Sequence, residues 1–122
     1  MTVIRVEDLP WSDIARELVG AEHGLDVTIL FVDAQPGRGP ALHRHPYAEV
    51  FIVQEGEATF TLDDATVSAR AGDILVARPN QPHAFVNSGS GPLHQIDIHL
   101  SASFSTEWLD GPDRSTSTAR RR

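Results

Sequence analysis

Six histidines carry most of the chemical potential of this chain: His23, His43, His45, His83, His94 and His99. His43 and His45 are two residues apart, and on a β-strand that spacing sends both imidazoles to one face. Glu49 follows four residues later, beyond the turn residue Pro46, and shares strand parity with Phe51 and Val53. Two imidazoles and a carboxylate converging on one interior form a transition-metal pattern. His-x-His alone also describes two surface histidines beside a loop. There is no cysteine, which excludes a disulfide framework, thiolate ligands and a cysteine nucleophile.

Elements that could position these residues are short, β-like and separated by Gly, Pro and Asp. The pattern predicts strands over 27–32, 49–53, 58–62, 66–69, 74–77, 83–87 and 93–100. Glu55-Gly56 reads as a hairpin signal, and Asp63-Asp64 closes the alternating run Ala58 to Leu62. Strands at this spacing imply an all-β sandwich or barrel. Trp11 to Leu18 reads either as a short helix capped by Ser12 or as loop leading into a strand. Phe104 and Trp108, four apart, suit a helical turn and read as core or interface filler.

The spacing extends into two longer motifs. Gly37 is followed by five residues, His43, one residue, His45, three residues, Glu49, six residues and Gly56. Further on, Gly72 is followed by five residues, Arg78, one residue, Asn80, two residues, His83, three residues and Asn87. These runs, 37–56 and 72–87, resemble the two signatures of the cupin superfamily in order and distance. The second departs twice: Arg78 stands at the usual proline, with Pro79 beside it, and Asn80 stands at the usual glycine. Asn enters the left-handed region readily, so the turn should survive.

The resemblance implies a small single-domain cupin, a double-stranded β-helix or jelly-roll barrel over residues 1–110. The Ser/Thr tract 115–118 and Arg120 to Arg122 cannot pack a core, so 111–122 reads as a flexible tail. The resemblance also implies that His43, His45, Glu49 and His83 hold one divalent metal inside the barrel. Three imidazoles and one carboxylate suit iron, manganese, nickel, copper or zinc rather than calcium or magnesium. On an octahedral ion two positions stay open, as in a catalytic site.

Strand parity sorts the neighbours. Phe51, Val53, Phe60 and Phe85 are expected to line an apolar cavity around the metal. Asn87 shares the parity of His83 and either orients a ligand or closes a turn. Tyr47, on the loop near the mouth, either meets a substrate or packs the loop. On the last strand His94, Ile96, Ile98 and Leu100 share one face. Gln95, Asp97 and His99 share the other, which faces solvent in the preferred reading and lines the substrate pocket in the alternative. His23 reads as a loop histidine.

Two function classes follow. One is a metal-dependent enzyme acting on a small organic molecule, as a dioxygenase or as an isomerase or lyase, with Glu49 as the candidate catalytic residue. The other is a non-catalytic module binding a carbohydrate or effector. A net charge of −7 argues against nucleic acid, since phosphate binding needs a basic face. The N-terminal residues form no signal-peptide pattern and no apolar run is long enough to span a membrane. The chain is therefore expected in the cytoplasm and off the membrane. Val50 to Val53 is apolar on both faces, which predicts a homodimer.

Overall fold

The computed structural model of the chain describes residues 1–109; the expected boundary at 110 and the tail 111–122 lie outside the described residues. Eleven strands follow in order: β1 (Trp11–Ser12), β2 (Ala15–Leu18), β3 (Thr28–Ala34), β4 (His43–Arg44), β5 (Glu49–Glu55), β6 (Glu57–Leu62), β7 (Ala65–Arg70), β8 (Ile74–Ala77), β9 (His83–Asn87), β10 (Leu93–His99) and β11 (Glu107–Trp108). Helix among the described residues is limited to two 3-10 turns, Val6–Asp8 and Gly20–His23, the second carrying the exposed His23.

The strands form two antiparallel sheets. The first has the order β1-β2-β3-β10-β5-β8 and the second β11-β4-β9-β6-β7. Consecutive strands β5 and β6 therefore lie in different sheets. Glu55-Gly56 is a corner between the sheets and not the hairpin its composition suggests. Gly56 makes the corner feasible: its φ is +90°, and a Cβ there would lie 2.4 Å from the carbonyl oxygen of Pro92. The true hairpin is β6–β7, where Leu62 faces Ala65 across Asp63-Asp64 and Asp63 takes a left-handed φ of 55°.

Trp11 to Leu18 is not a helix; it leads into a strand at Ala15–Leu18, and the approach to that strand is itself paired. It folds back on itself as β1 and β2, with Asp13 left-handed at the bend and Ala15 buried against Val32. Phe104 and Trp108 are not on a helical turn either. Phe104 packs on the core, and Trp108 sits in β11 opposite His43. Pairing with a strand more than sixty residues away overrides the local four-residue spacing.

The core lies between the sheets. Phe51 and Phe60 are fully buried and meet edge to face at 5.0 Å, with Phe85 5.4 Å from Phe60. Such pairs add to the area they bury. Residues of opposite parity on the first sheet are also apolar. Ile29, Ile98, Val50 and Val76 form one transverse outer row, and Phe31, Ile96, Ile52 and Ile74 form the next. Ile74 and Val76, on the edge strand β8, are 64% and 53% exposed.

Two outcomes are expected. Phe60→Ala should cost about 3–5 kcal/mol in urea unfolding, because it removes a ring from a site that cannot collapse. The uncharged outer rows should be covered by the same rows of a second copy. Four strands and their side chains present on the order of several hundred Å², the scale of one side of a standard interface. Light scattering should give about twice the 13.3 kDa of one chain, with Val50→Glu shifting the value to that of a monomer.

Candidate metal centre

Register brings the chemistry into two facing rows. In the first sheet Thr28, His99, Glu49 and Ala77 align side by side. In the second, Trp108, His43, His83 and Leu62 align. His45 lies one residue past β4, on the parity of His43. Its backbone is clasped by the turn at Asn80, whose N–H donates to the His45 carbonyl at 2.7 Å. Asn80 has φ 65°, the left-handed value expected where the cupin pattern has glycine. The turn of the second motif thus positions a residue of the first.

His43, His45, Glu49 and His83 each offer one donor atom, and these atoms all lie within 4.8 Å of one another. All four side chains are buried. Nε2 of His45 and of His83 stand 3.2 and 3.3 Å from Glu49 Oε1. The tautomers follow from the outer partners. Nδ1 of His43 faces the carbonyl of Ala41 at 2.7 Å, Nδ1 of His45 that of Ser105 at 2.9 Å, and Nδ1 of His83 that of Gln81 at 2.8 Å. A carbonyl only accepts, so each Nδ1 carries the proton, and each neutral ring offers its Nε2 lone pair. His45 Nε2, His99 Nε2 and Glu49 Oε2 are buried without a well-aligned hydrogen bond. Nitrogen lone pairs held this close to a carboxylate oxygen fit a cation between them. These four residues could hold one divalent transition metal.

Burial alone would raise the Glu49 carboxyl. The electrostatic attraction of His99 and the close approach of the His45, His83 and His99 rings outweigh it and hold that group well below the usual carboxylate range. Glu49 is therefore an anion at neutral pH.

The remaining candidates divide clearly. Gln95, Asp97 and His99 do not face solvent: each is at most 1% exposed and points between the sheets. The apolar alternate residues Ile96 and Ile98 point outward instead, because the outer rows of the first sheet are apolar. Gln95 Nε2 donates to Asp97 Oδ1 at 2.8 Å, and His99 Nε2 lies 3.1 Å from Glu49 Oε2. Asn87 closes a turn, donating to the carbonyls of Ala34 and Gly91 and accepting from Gly89 N–H. Tyr47 stacks on His45 and reaches His99 Nδ1 at 2.8 Å.

Phe51, Phe60 and Phe85 are not the walls of an open apolar cavity. Their close-packed rings floor the site, with Phe51 5.6 Å from His83. A groove of about 210 Å³ borders one ligand residue, His45, and is lined with it by Arg44, Pro46, Asn80, Ser105, Thr106 and Glu107.

Trp108 packs on His43 at 5.0 Å, and Thr106 Oγ1 lies 3.3 Å from His45 Nδ1. Sequence reasoning missed this contribution of residues 105–108, for which spacing gives no signal. The repeated geometry of His43 and His83, each bonded to the carbonyl two residues earlier, is local. Its trace is the pairing of those residues with Ala41 and Gln81.

Fold and site together define a class: a double-stranded β-helix with three histidines and one glutamate buried between its sheets. The chain belongs to the cupin domain family, whose sequence profile matches residues 30–99. It is 33% identical over 58 residues to the uncharacterized protein MJ1618 of Methanocaldococcus jannaschii, covering 47% of this chain and 46% of that one. The chain thus spans under half the length of that relative. Among solved structures, it superposes on an uncharacterized conserved protein with a double-stranded β-helix domain from Klebsiella pneumoniae (TM-score 0.73, 23% identity, 90% of this chain and 98% of that one). It also superposes on a variant of oxalate decarboxylase from Bacillus subtilis (TM-score 0.75, 20% identity, 87% and 31%). The oxalate decarboxylase of Lactobacillus farciminis gives TM-score 0.72 at 21% identity, with 91% and 38% covered. At these identities the likeness is one of fold. No described helix is long and apolar enough to cross a membrane.

Protons compete with a metal for the three Nε2 lone pairs. Glu49, with its lowered value, stays ionised as the pH falls from neutral. Metal affinity should therefore fall as the medium is acidified, through proton uptake by the imidazoles and not the carboxylate. Equilibrium dialysis against Mn(II) across pH 5–8 checks this; occupancy unchanged down to pH 4.5 would contradict it.

Proposed function

We propose that the chain is a mononuclear metal-dependent cupin enzyme acting on a small organic molecule. The observation that carries this reading is the convergence of three Nε2 lone pairs and one carboxylate oxygen at a buried point bordered at His45 by a groove. Four protein ligands leave two positions open on an octahedral ion, whereas a structural zinc is closed by its ligands. Neutral imidazoles with one carboxylate are compatible with iron, manganese, nickel, copper and zinc. The fold shared with oxalate decarboxylases, including one described with Mn(II) centers, favours manganese and a lyase-type reaction over the oxygenase and isomerase alternatives.

When bound, the ion would supply Lewis acidity and sites for an oxygen-bearing substrate. The chain's own residues do the rest. His43, His45 and His83 are locked in the ligating tautomer by backbone carbonyls. Glu49 contributes the anionic ligand. The groove formed by Arg44, Asn80, Ser105 and Thr106 admits a small polar molecule next to His45. The apolar floor of Phe51, Phe60 and Phe85 keeps water from below the site.

The test begins with metal analysis of protein purified without an affinity tag, followed by turnover screens with small carboxylates and chelating oxygen compounds. Wild type should carry about one transition-metal ion per chain. His83→Ala should lower metal affinity by more than the ten- to hundredfold that loss of an outer partner costs, and activity should fall with it. Glu49→Gln keeps the shape but removes the anion. If Glu49 is a ligand alone, activity tracks occupancy; if it also accepts a proton, activity stays lost at saturating metal. A site that binds metal but turns over nothing would identify a binding module. A wild type that binds no metal, with an identical His83→Ala form, would overturn the reading.

A further inference from the structure

Resting on the metal reading above, a deeper question is why a fourth imidazole is buried against Glu49. His99 is 0% exposed, its ring 4.7 Å from that of His45, and its Nε2 3.1 Å from Glu49 Oε2. Burying a polar ring has a cost unless it is satisfied. Yet His99 is outside the set whose donor atoms converge within 4.8 Å.

Its surroundings differ from those of the other three in one chemical respect. His43, His45 and His83 each turn Nδ1 to a carbonyl, which can only accept. His99 turns Nδ1 to the hydroxyl of Tyr47 at 2.8 Å, and a hydroxyl can donate. The Tyr47 oxygen lies 3.4 Å from the N–H of Ser105, which donates toward it, so the phenolic proton is directed to His99. The other end agrees. An anionic carboxylate oxygen faces Nε2, and a lone pair there would repel it, whereas an N–H attracts it. Both ends thus assign His99 the opposite tautomer: Nδ1 accepts and Nε2 bears the proton.

We propose that Tyr47 and His99 form a positioning pair that sets the His99 N–H against Glu49 Oε2 at 3.1 Å, an electrostatic contact short of a well-aligned hydrogen bond, leaves Oε1 as the metal-facing oxygen and keeps His99 out of the coordination sphere. The supporting contacts are consistent with a fixed geometry. Tyr47 stacks on His45 with the rings 8° from parallel, and Phe104 packs edge-on to His99 at 5.3 Å. The peptide of Ser105 joins both layers: its carbonyl accepts from His45 and its N–H donates to Tyr47. Without the Tyr47 proton, His99 is free to take the other tautomer and present an Nε2 lone pair. The outcome would be a fifth nitrogen near the metal or a carboxylate turned to bind through both oxygens. Either closes a position that a substrate needs.

The test uses the full chain loaded with Mn(II) or Co(II), reading affinity by titration and coordination by Mn(II) electron paramagnetic resonance or Co(II) visible bands. Tyr47→Phe keeps the ring and its stacking but removes the proton. His99→Leu removes the imidazole with little change in volume. His99→Gln keeps an N–H in reach of Glu49 and offers no imidazole lone pair. The pair predicts an altered spectrum in both Tyr47→Phe and His99→Leu, and in His99→Leu, which strips the N–H from Glu49, a ten- to hundredfold loss of affinity, the range for outer partners of metal ligands. His99→Gln should restore both toward wild type. A His99→Gln protein as impaired as His99→Leu would make His99 a ligand and overturn the proposal. So would a Tyr47→Phe protein with a wild-type spectrum. A wild type that binds neither metal overturns the metal reading itself, and with it the role of the pair.

Discussion

An ionised carboxylate removed completely from water costs several kcal/mol unless charge and hydrogen bonds replace its hydration. Glu49 is in that position, and the architecture around it can be read as the means of replacement. No single strand can surround a carboxylate. The first sheet supplies Glu49 and His99 in one row; the second supplies His43 and His83 in the facing row, with His45 just beyond β4. The two sheets thus meet over a charge at this end of the barrel and over aromatic rings below it. That division explains why Phe51, two residues from Glu49 on the same face, touches both regimes: it packs on Phe60 and also edges onto His83.

The same requirement reverses the usual sense of β10. In most half-buried strands the apolar alternates point inward and the polar ones outward. Here Gln95, Asp97 and His99 are buried, while Ile96 and Ile98 lie on the outer face. Polar side chains are tolerated inside because they bond to one another and to the site: Gln95 to Asp97, His99 between Tyr47 and Glu49. Apolar side chains are tolerated outside because cross-strand neighbours on β3, β5 and β8 are apolar too, so the rows form a continuous surface suited to a second copy.

Closure of the site is long-range. Residues 104–108 return from the end of β10 to lie against the site: Ser105 on His45, Trp108 on His43, Phe104 on His99. The Ser105 carbonyl selects the ring nitrogen that His45 turns inward. Ligand geometry is therefore decided as much by a backbone carbonyl far along the chain as by the histidines themselves.

Much of this was legible in the residues. Alternation and turn chemistry located β3 and β5 to β10 within a few residues, but not the two-residue β4. The left-handed turn at Asn80 followed from which side chains accept positive φ. Strand parity brought His43, His45 and Glu49 to one interior, and the resemblance to the cupin motifs added His83. The strands, the turn and the parity are local properties, set by steric limits on the backbone or by the two-residue period of a strand. What the tertiary structure decided was non-local. Whether Gly56 made a hairpin or a corner depended on which sheet β6 joined. Which face of β10 was interior depended on neighbours more than forty residues away. Whether Trp108 lay on helix or strand depended on β4. Alternation reveals that a strand has two faces, but only packing determines which one meets the core, because a buried charge can make the polar face the inner one.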